Sequence, residues 1–339
     1  MASRRLVRAA VACAVVAIGL ALGSRSAAAD DDPAAPDALL TPIGPAHVRN
    51  LSPLNTLRLC ATPERPSLLA PQHVDIFADV TWSNLWARQL DYDLDLDQVW
   101  IDIDSRIGVL PWLELGVGLR VGWRGHAALA GLIQFWHRSF GYSERRDLRP
   151  PGLFIIRHNS VDVFAGEDEV AWGIGDITLQ AKMPIVFDDA GTTGLSARLL
   201  LKLPVGESAR GFASGGFDVG LQVNGMLTRD RFTGYAGVGY VRLAQTVVWT
   251  FAPAEHQFVA WLGVEVRLGP EVAIVATLDL QTAVATDVTV LSAAQMEFHF
   301  GLAFTLRRGM ILWLSFLENT FAAESAIDMG WHVGLRWTP

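Results

Sequence analysis

Charged residues recur at alternate positions through most of the chain, and they are the side chains that could do chemistry. Two interpretations stay open: opposite charges could pair across an enclosed space and close it, or they could line a polar passage whose mixed sign gives no simple ion preference. The candidates for such a lining are Asp102, Asp104, Glu114, Arg120, Asp176, Lys182, Arg198, Lys202, Asp218, Glu265, Arg267, Asp279, Glu297 and His299.

Catalysis is poorly supported by these residue types. A lipase-like site needs a Ser–His pair oriented by a third polar group. His299 and His332 fall on polar faces, and no serine stands beside either in the sequence. No His/Cys/Asp cluster has metal-ligand spacing, and the glycine-containing stretch Gly173–Asp176 opens a strand rather than a helix, unlike a phosphate-binding loop. We therefore expect a protein that is not an enzyme and that holds no cofactor and no metal.

The first 29 residues predict export. Arg4, Arg5 and Arg8 precede an apolar run from Ala9 to Gly23, and Ala27–Ala29 resembles a cleavage site, so residues 1–29 are predicted to be a signal peptide. No later stretch offers the roughly 20 uncharged residues of a membrane helix. The formal net charge of −8 argues against a nucleic-acid partner.

From His73 onward, apolar and polar residues alternate with the period of two that strands with unlike faces require. In Gln295–Arg307, for example, Phe298 and Phe300 share the apolar face, while Glu297 lies on the other. These segments are longer than the strands of about five or six residues that are common in soluble sheets. They match the roughly 9–11 residues that a tilted strand needs to cross a bilayer. The fold class predicted is all-β, a transmembrane antiparallel barrel; a soluble secreted sandwich is the alternative.

Link lengths predict about twelve strands in residues 73–339, with short turns on the periplasmic side and longer loops outside. The up–down parity closes only if residues 125–172 form one outer-side insertion. Within it, His126–Phe140 has helical apolar spacing, and Leu153–Phe164 is predicted to form a short hairpin. The helix could plug the lumen, cap its mouth or simply pack against the wall. Its candidate plug or gate residues are Phe135, Trp136, His137 and Arg138.

Two further segments could contact partners. Residues 30–72 are rich in Pro, Ala and Leu without a clear period, which predicts an extended periplasmic lead-in that could dock a partner. Arg145, Arg146 and Arg149 could meet lipopolysaccharide phosphates or form a solvated loop. We expect a monomer in the bacterial outer membrane that contacts lipids and lipopolysaccharide. A channel or transport role for small solutes, hydrophobic ones included, competes with a non-conducting structural or assembly role.

Several short motifs resemble an uncharacterised, domain-of-unknown-function family of Gram-negative outer-membrane barrel proteins. They cover most of the chain: Arg49-Asn50 with Pro53, Trp82-Ser83-Asn84, Gly131–His137, Phe140-Gly141 with Arg145, Gly173–Asp176, Leu203–Gly206, and Ser214-Gly215 with Asp218. The motifs Gly173–Asp176 and Leu203–Gly206 are also similar to barrels for uptake of phenols and other hydrophobic compounds. That likeness implies passage of small apolar molecules, although a shared fold does not by itself settle function.

Overall fold

The alternating segments form long antiparallel strands that close on themselves. The computed structural model describes residues 42–88, 92–125, 131, 135, 138–139, 153–158, 161–166, 171–245, 254–286, 293–307, 309–318, 327 and 329–339. The strands are β1 (Val74–Arg88), β2 (Tyr92–Leu110), β3 (Leu113–Gly125), β4 (Leu153–His158), β5 (Val161–Gly166), β6 (Ala171–Ile174), β7 (Ile177–Phe187), β8 (Thr193–Leu203), β9 (Asp218–Arg229), β10 (Phe232–Arg242), β11 (His256–Arg267), β12 (Val272–Gln281), β13 (Gln295–Arg307), β14 (Met310–Glu318) and β15 (Met329–Trp337).

The wall is a closed ring of neighbouring antiparallel strands. Strand β1 pairs with β2 on one side and with the last strand, β15, on the other, so the sheet has no free edge along this seam. Strands β6 and β7 both pair with β3, at its end and its beginning respectively, and therefore occupy one position in the wall. Over the described residues the ring then has twelve positions, as the sequence predicts.

The predicted insertion is described only in part. Within it, β4 pairs with β5 as a hairpin, and β4 also pairs with Tyr92–Asp95 of β2, beyond the ring. Of the predicted helix His126–Phe140, only Gly131, Phe135, Arg138 and Ser139 lie within the description, each with helical backbone. A helix over the whole segment is thus not supported and stays a prediction. Among the described residues, no helix is long and apolar enough to span a bilayer.

The two faces of the wall differ as the alternation predicts. On β13, Phe298, Phe300 and Leu302 are 37%, 49% and 37% exposed, whereas Glu297 and His299, which alternate with them, are 0% and 3% exposed. Neighbouring strands share the same inward and outward faces because their registers place polar residues opposite polar ones and apolar residues opposite apolar ones. Asp279 of β12 lies opposite Glu297, and Leu278 lies opposite Phe298. The outer surface is consequently apolar and the inner one polar.

The links divide the barrel into two ends. Residues 111–112, 188–192, 230–231 and 268–271, together with Gly309, lie in short links at one end, which we name the short-turn end; the opposite end is the long-loop end. One predicted long link differs. The link from Gln89 to Asp95 is reduced to residues 89–91, because β1 and β2 continue to pair until Arg88 meets Asp93.

Candidate functional site

The enclosed face of the barrel carries nearly all the charged residues that the sequence places there. Buried on it are Asp102, Glu114, Arg120, Asp176, Lys182, Arg198, Lys202, Asp218, Glu265, Arg267, Asp279, Glu297 and His299. The side chain of Asp104 is slightly more open, at 18% exposed. Some of them pair within the wall: Arg120 contacts Asp102 at 3.0 Å, and Lys182 contacts Glu114 at 3.0 Å.

The lumen also contains a segment of the chain itself. Residues 43–64 are all buried except Arg49, which is half-buried. Side chains from ten of the twelve wall positions contact this region, including Glu265 of β11 on one side and Lys182 of β7 on the other. A segment that contacts opposite walls must lie inside the ring. We call Pro42–Ala70 the plug.

The plug makes one excursion through the barrel and back. It begins at the short-turn end, where the Ile43 amide donates to Glu265 near the end of β11. It turns at the long-loop end through a short 3-10 helix, Asn55–Leu57. It then returns until the Leu69 amide donates to Glu114, close to the start of β3. The two legs are joined by a hydrogen bond of 3.1 Å between Thr62 Oγ1 and His47 Nε2.

Wall carboxylates hold the backbone of the plug. Glu265 accepts hydrogen bonds of 3.0 Å from the amides of Ile43 and Gly44. Glu297 accepts from Leu51 at 3.0 and 3.1 Å. The same arrangement recurs at Asp218, which accepts from Leu59 at 3.1 Å, and at Glu114, which accepts from Leu69 at 3.0 Å. Buried amides need partners, and here wall side chains replace the neighbouring strand that the plug lacks.

Gly44 makes the first bend of the plug possible. Its φ of +106° is a conformation that residues with a Cβ rarely adopt. In this position its amide reaches Glu265, and its carbonyl accepts a 3.3 Å hydrogen bond from Trp313 Nε1. The plug is thereby fixed to β11 and β14 where it begins.

Glu64 is the electrostatic centre of the returning leg. Its carboxylate lies 2.5 Å from Lys182 Nζ and 3.0 Å from Arg106 Nη1, and it also accepts a hydrogen bond from Arg198. Burial by itself would raise the pKa of Glu64, but the three cations outweigh burial and hold the pKa well below its usual value. Glu64 therefore stays ionised and neutralises cations from β2, β7 and β8.

The turning point of the plug is apolar. Leu51, Leu54 and Leu57 are at most 2% exposed and pack in one buried cluster with Trp100 and Phe212. The rings of Trp100 and Phe212 meet edge to face with centroids 6.0 Å apart. Because Phe212 belongs to the long loop between β8 and β9, this loop folds inward and covers the turn of the plug.

Three of the family-like motifs meet where that loop is anchored. Lys202 Nζ lies 2.6 Å from Asp176 Oδ2, 2.6 Å from Ser214 Oγ and 3.3 Å from Asp218 Oδ2. The amide of Gly206 donates to the other oxygen of Asp176 at 3.0 Å. The motifs are thus a structural device that binds the loop to the wall, and nothing in this arrangement resembles a nucleotide site.

A second polar cluster joins the wall to the first leg of the plug, which runs from the short-turn end to the 3-10 helix. His47 Nδ1 lies 3.0 Å from Asp79 Oδ2 of β1 and 3.9 Å from Asp104 Oδ2 of β2. The other oxygen of Asp79 lies 3.2 Å from His332 Nε2 of β15. Sequence spacing could not predict this cluster, because its members come from four separate segments.

The Ser–His arrangement that catalysis would need is not assembled among the described residues. The register places Ser315 opposite His332, a proximity that the sequence alone does not reveal. Neither Ser315 Oγ nor His332 Nδ1 has a hydrogen-bond partner, so no base activates this hydroxyl. His299 lies on the same enclosed face, 3.9 Å from Glu297.

Two predictions about the lumen differ from the structure. Residues 30–72 are expected to form a periplasmic lead-in, but their described part, from residue 42, instead lies in the lumen as the plug, because its amides, leucines and charges find partners there. The predicted gate residue Phe135 is 65% exposed and Arg138 is exposed too, so neither fills the lumen. Trp136 and His137 lie outside the described residues, as do residues 1–41 with the predicted signal peptide.

A signal for the plug was present in the sequence. The enclosed faces carry many charges, and charges that are buried require partners. The nonperiodic lead-in contains Leu51, Leu54 and Leu57, which a free segment in water would leave exposed.

Comparison with solved structures gives further barrels of this type. The COG4313 outer membrane channel from Pseudomonas putida F1 aligns with a TM-score of 0.58 at 10% identity, covering 81% of this chain and 98% of that one. The NanC porin aligns with a TM-score of 0.44 at 8% identity, covering 78% and 98%. The CymD monoaromatic hydrocarbon channel aligns with a TM-score of 0.36 at 10% identity, covering 80% and 89%. At 10% identity the likeness to the Pseudomonas channel concerns the fold alone.

Comparison with curated proteins gives no match. The family comparison does: residues 35–338, which include the plug and the entire wall, match the family described as "Protein of unknown function (DUF3187)". The chain therefore belongs to the DUF3187 family of proteins of unknown function.

Proposed function

We propose that this protein is an outer-membrane channel for small molecules and that the structure represents its closed state. The observation that carries the proposal is the plug: a noncovalently held segment occupies a lumen whose wall is polar and charged. Removal of the plug would leave a water-compatible passage lined by residues of both signs, such as Asp102, Arg198 and Glu297.

The outer surface supports placement in the outer membrane. Exposed apolar side chains follow the outward faces of successive strands, among them Leu221 at 52%, Val238 at 60% and Leu262 at 59% exposed. Lipid tolerates such a face, whereas water would drive it to associate. The fold of the Pseudomonas outer membrane channel is consistent with this placement. A monomer surrounded by lipid and lipopolysaccharide is the simplest assembly for a closed ring.

The contacts of the plug are suited to release. Its backbone is held mainly by carboxylates and other polar side chains, and water can replace these partners when the plug leaves. Its single cysteine, Cys60, is free, so no disulfide ties the described plug to the wall. Release would therefore break noncovalent contacts only.

The solute class follows less directly. Mixed charge in the wall favours no strong preference between anions and cations. The resemblance to barrels for hydrophobic compounds extends the proposal to small apolar solutes. Liposome-swelling rates with a sugar and with phenol, measured on the same preparation, would separate polar from apolar passage.

The alternative is a non-conducting barrel with a structural or assembly role. The apolar cluster around Leu54 and Phe212 favours it, since this cluster seals the lumen at the long-loop end. In this case the plug would be a permanent core that stabilises the wall.

Planar-bilayer recording separates these functions. We would compare the intact protein, the Glu64→Gln variant and a variant lacking residues 42–70. Glu255→Gln is the matched control because Glu255 is exposed and pairs with the exposed residues Arg242 and His256. A channel predicts rare openings of the intact protein, frequent openings of Glu64→Gln and steady current after deletion. Folded barrels without current in all three forms would reject the channel. Deletion of residues 126–150 should leave the barrel closed by the plug.

A further inference from the structure

Three potential metal ligands converge inside the barrel from distant parts of the sequence. His47 lies on the plug, Asp79 on β1 and Asp104 on β2. One ligand atom from each lies within 4.8 Å of those of the other two. Asp79 and His47 are 2% and 7% exposed, so this is an enclosed cluster and not a group of solvated surface acids.

The spacing suits a small divalent ion. Bonds of about 2.0–2.2 Å from a tetrahedral zinc ion to nitrogen and oxygen place neighbouring ligand atoms roughly 3.4 Å apart. His47 Nδ1 lies 3.0 Å from Asp79 Oδ2 and 3.9 Å from Asp104 Oδ2, which brackets this value. Only small side-chain rotations would be needed to equalise the distances.

The cluster also has space beside it. A cavity of about 30 Å³ is lined by His47, Asp104 and Thr62 among others. A water molecule needs roughly 10–15 Å³ measured in this way. The cavity can therefore supply a water as a fourth ligand, and the 18% exposure of the Asp104 side chain leaves a route for exchange.

Neighbouring groups orient the ligands as partners around a metal do. His332 Nε2 holds the second oxygen of Asp79 at 3.2 Å, which directs the first oxygen toward His47. Thr62 Oγ1 contacts the remaining nitrogen of His47 at 3.1 Å and can accept a hydrogen bond from an N–H there. Such outer contacts fix the ring and the carboxylate of metal sites.

Charge is balanced in the same way. Two carboxylates would neutralise a divalent ion. The guanidinium of Arg106 lies beside the cluster, with its Nη2 3.3 Å from His47 Nε2. Its guanidinium is also engaged by Glu64 at 3.0 Å, so Arg106 has an anionic partner of its own and can give up its contact with His47.

We propose that His47, Asp79 and Asp104 form a binding site for a divalent first-row transition metal, with zinc as the reference ion. One imidazole and two carboxylates are a ligand set that such ions accept. Because His47 belongs to the plug while both aspartates belong to the wall, the bound ion fastens the plug inside the barrel. This consequence for gating rests on the proposed channel function; the binding site itself does not.

The test uses the full-length protein in detergent after removal of metal by chelation. Cobalt titration followed by visible absorption, then displacement by zinc, gives stoichiometry and affinity. We expect one ion per chain, a spectrum without the strong near-ultraviolet band of thiolate ligation by Cys60, and at least about tenfold weaker binding in Asp104→Asn. His256→Gln is the control for surface binding, because His256 is exposed beside Glu255.

Two outcomes of the metal titration would contradict the proposed site. Binding that is equal in wild type and Asp104→Asn, or that is lost in His256→Gln, would overturn the site. Asp104 is the preferred substitution because its side chain is the least buried of the three, so the barrel should fold; heat-modifiable migration in gel electrophoresis checks folding. If metal binds as expected yet bilayer recordings show no channel in any variant, the site stands and only the proposed function fails.

Discussion

The plug can be loosened at a single carboxylate without a change in shape. Glu64→Gln keeps the side-chain volume but removes the negative charge that neutralises Arg106, Lys182 and Arg198, with Lys182 Nζ only 2.5 Å away. Removing one partner from a buried ionic cluster costs about 3–5 kcal/mol. The cost falls on the docked plug, since the three cations regain water when the plug leaves the lumen.

Cys60 reports this change directly. It lies on the plug, is 5% exposed, and burial raises the pKa of its thiol, so it should react slowly with maleimide while the plug is docked. When redocking is faster than labelling, the labelling rate follows the population of the open form. At about 1.4 kcal/mol per factor of ten, Glu64→Gln should speed labelling by roughly two to three and a half orders of magnitude.

The experiment requires two checks. Glu255→Gln is the same chemical change at an exposed ion pair, where Arg242 lies 2.6 Å away, and it should label like wild type. Heat-modifiable migration shows that the barrel stays folded. If Cys60 in Glu64→Gln reacts no faster than in Glu255→Gln, the ionic cluster does not hold the plug, and the reasoning is wrong.

Three further predictions follow from the wall and the plug. A depressed pKa means that the contribution of Glu64 is complete above about pH 4.5 and is lost progressively as the pH falls from there through the lowered pKa, so Cys60 labelling by an acid-active disulfide reagent should begin to rise only below about pH 4.5. Phe300→Arg, at mid-strand, should cost about 2–4 kcal/mol of stability in lipid vesicles, but Phe232→Arg, beside a turn, only about 0–1. Gly173→Ala should displace Phe212, whose Cδ2 would lie 2.1 Å from the new Cβ, and speed Cys60 labelling.

Each of these has an outcome that contradicts it. A labelling rate that already climbs between pH 7 and pH 5 would exclude Glu64 as the acid-sensitive group. Equal stabilities of the two arginine variants in lipid vesicles would contradict the lipid-facing assignment of the outer surface. Gly269→Ala is the control for the glycine, because nothing lies within 4 Å of its added Cβ; equal labelling of both alanine variants would show that the loop does not secure the plug.

The wall could be predicted because its information is local. Alternation with period two fixes which side chain faces which side, as at Glu297 and Phe298, and a single strand is enough to read it. Parity of the strands then gave the ring of twelve positions and assigned the hairpin β4–β5 to the insertion. Link lengths were less certain, because strands such as β1 and β2 extend beyond what bilayer crossing requires.

The plug required the tertiary structure. Its backbone follows no repeating pattern, because its hydrogen-bond partners are side chains scattered over the wall; Lys182 and Arg198 stand 118 and 134 residues from Glu64. The sequence alone therefore determined the strands, their inward and outward faces and the charges that the lumen would contain. Only closure of the ring decided which of those charges meet and that Pro42–Ala70 lies among them, because contacts between distant segments exist only once the barrel has brought opposite walls together.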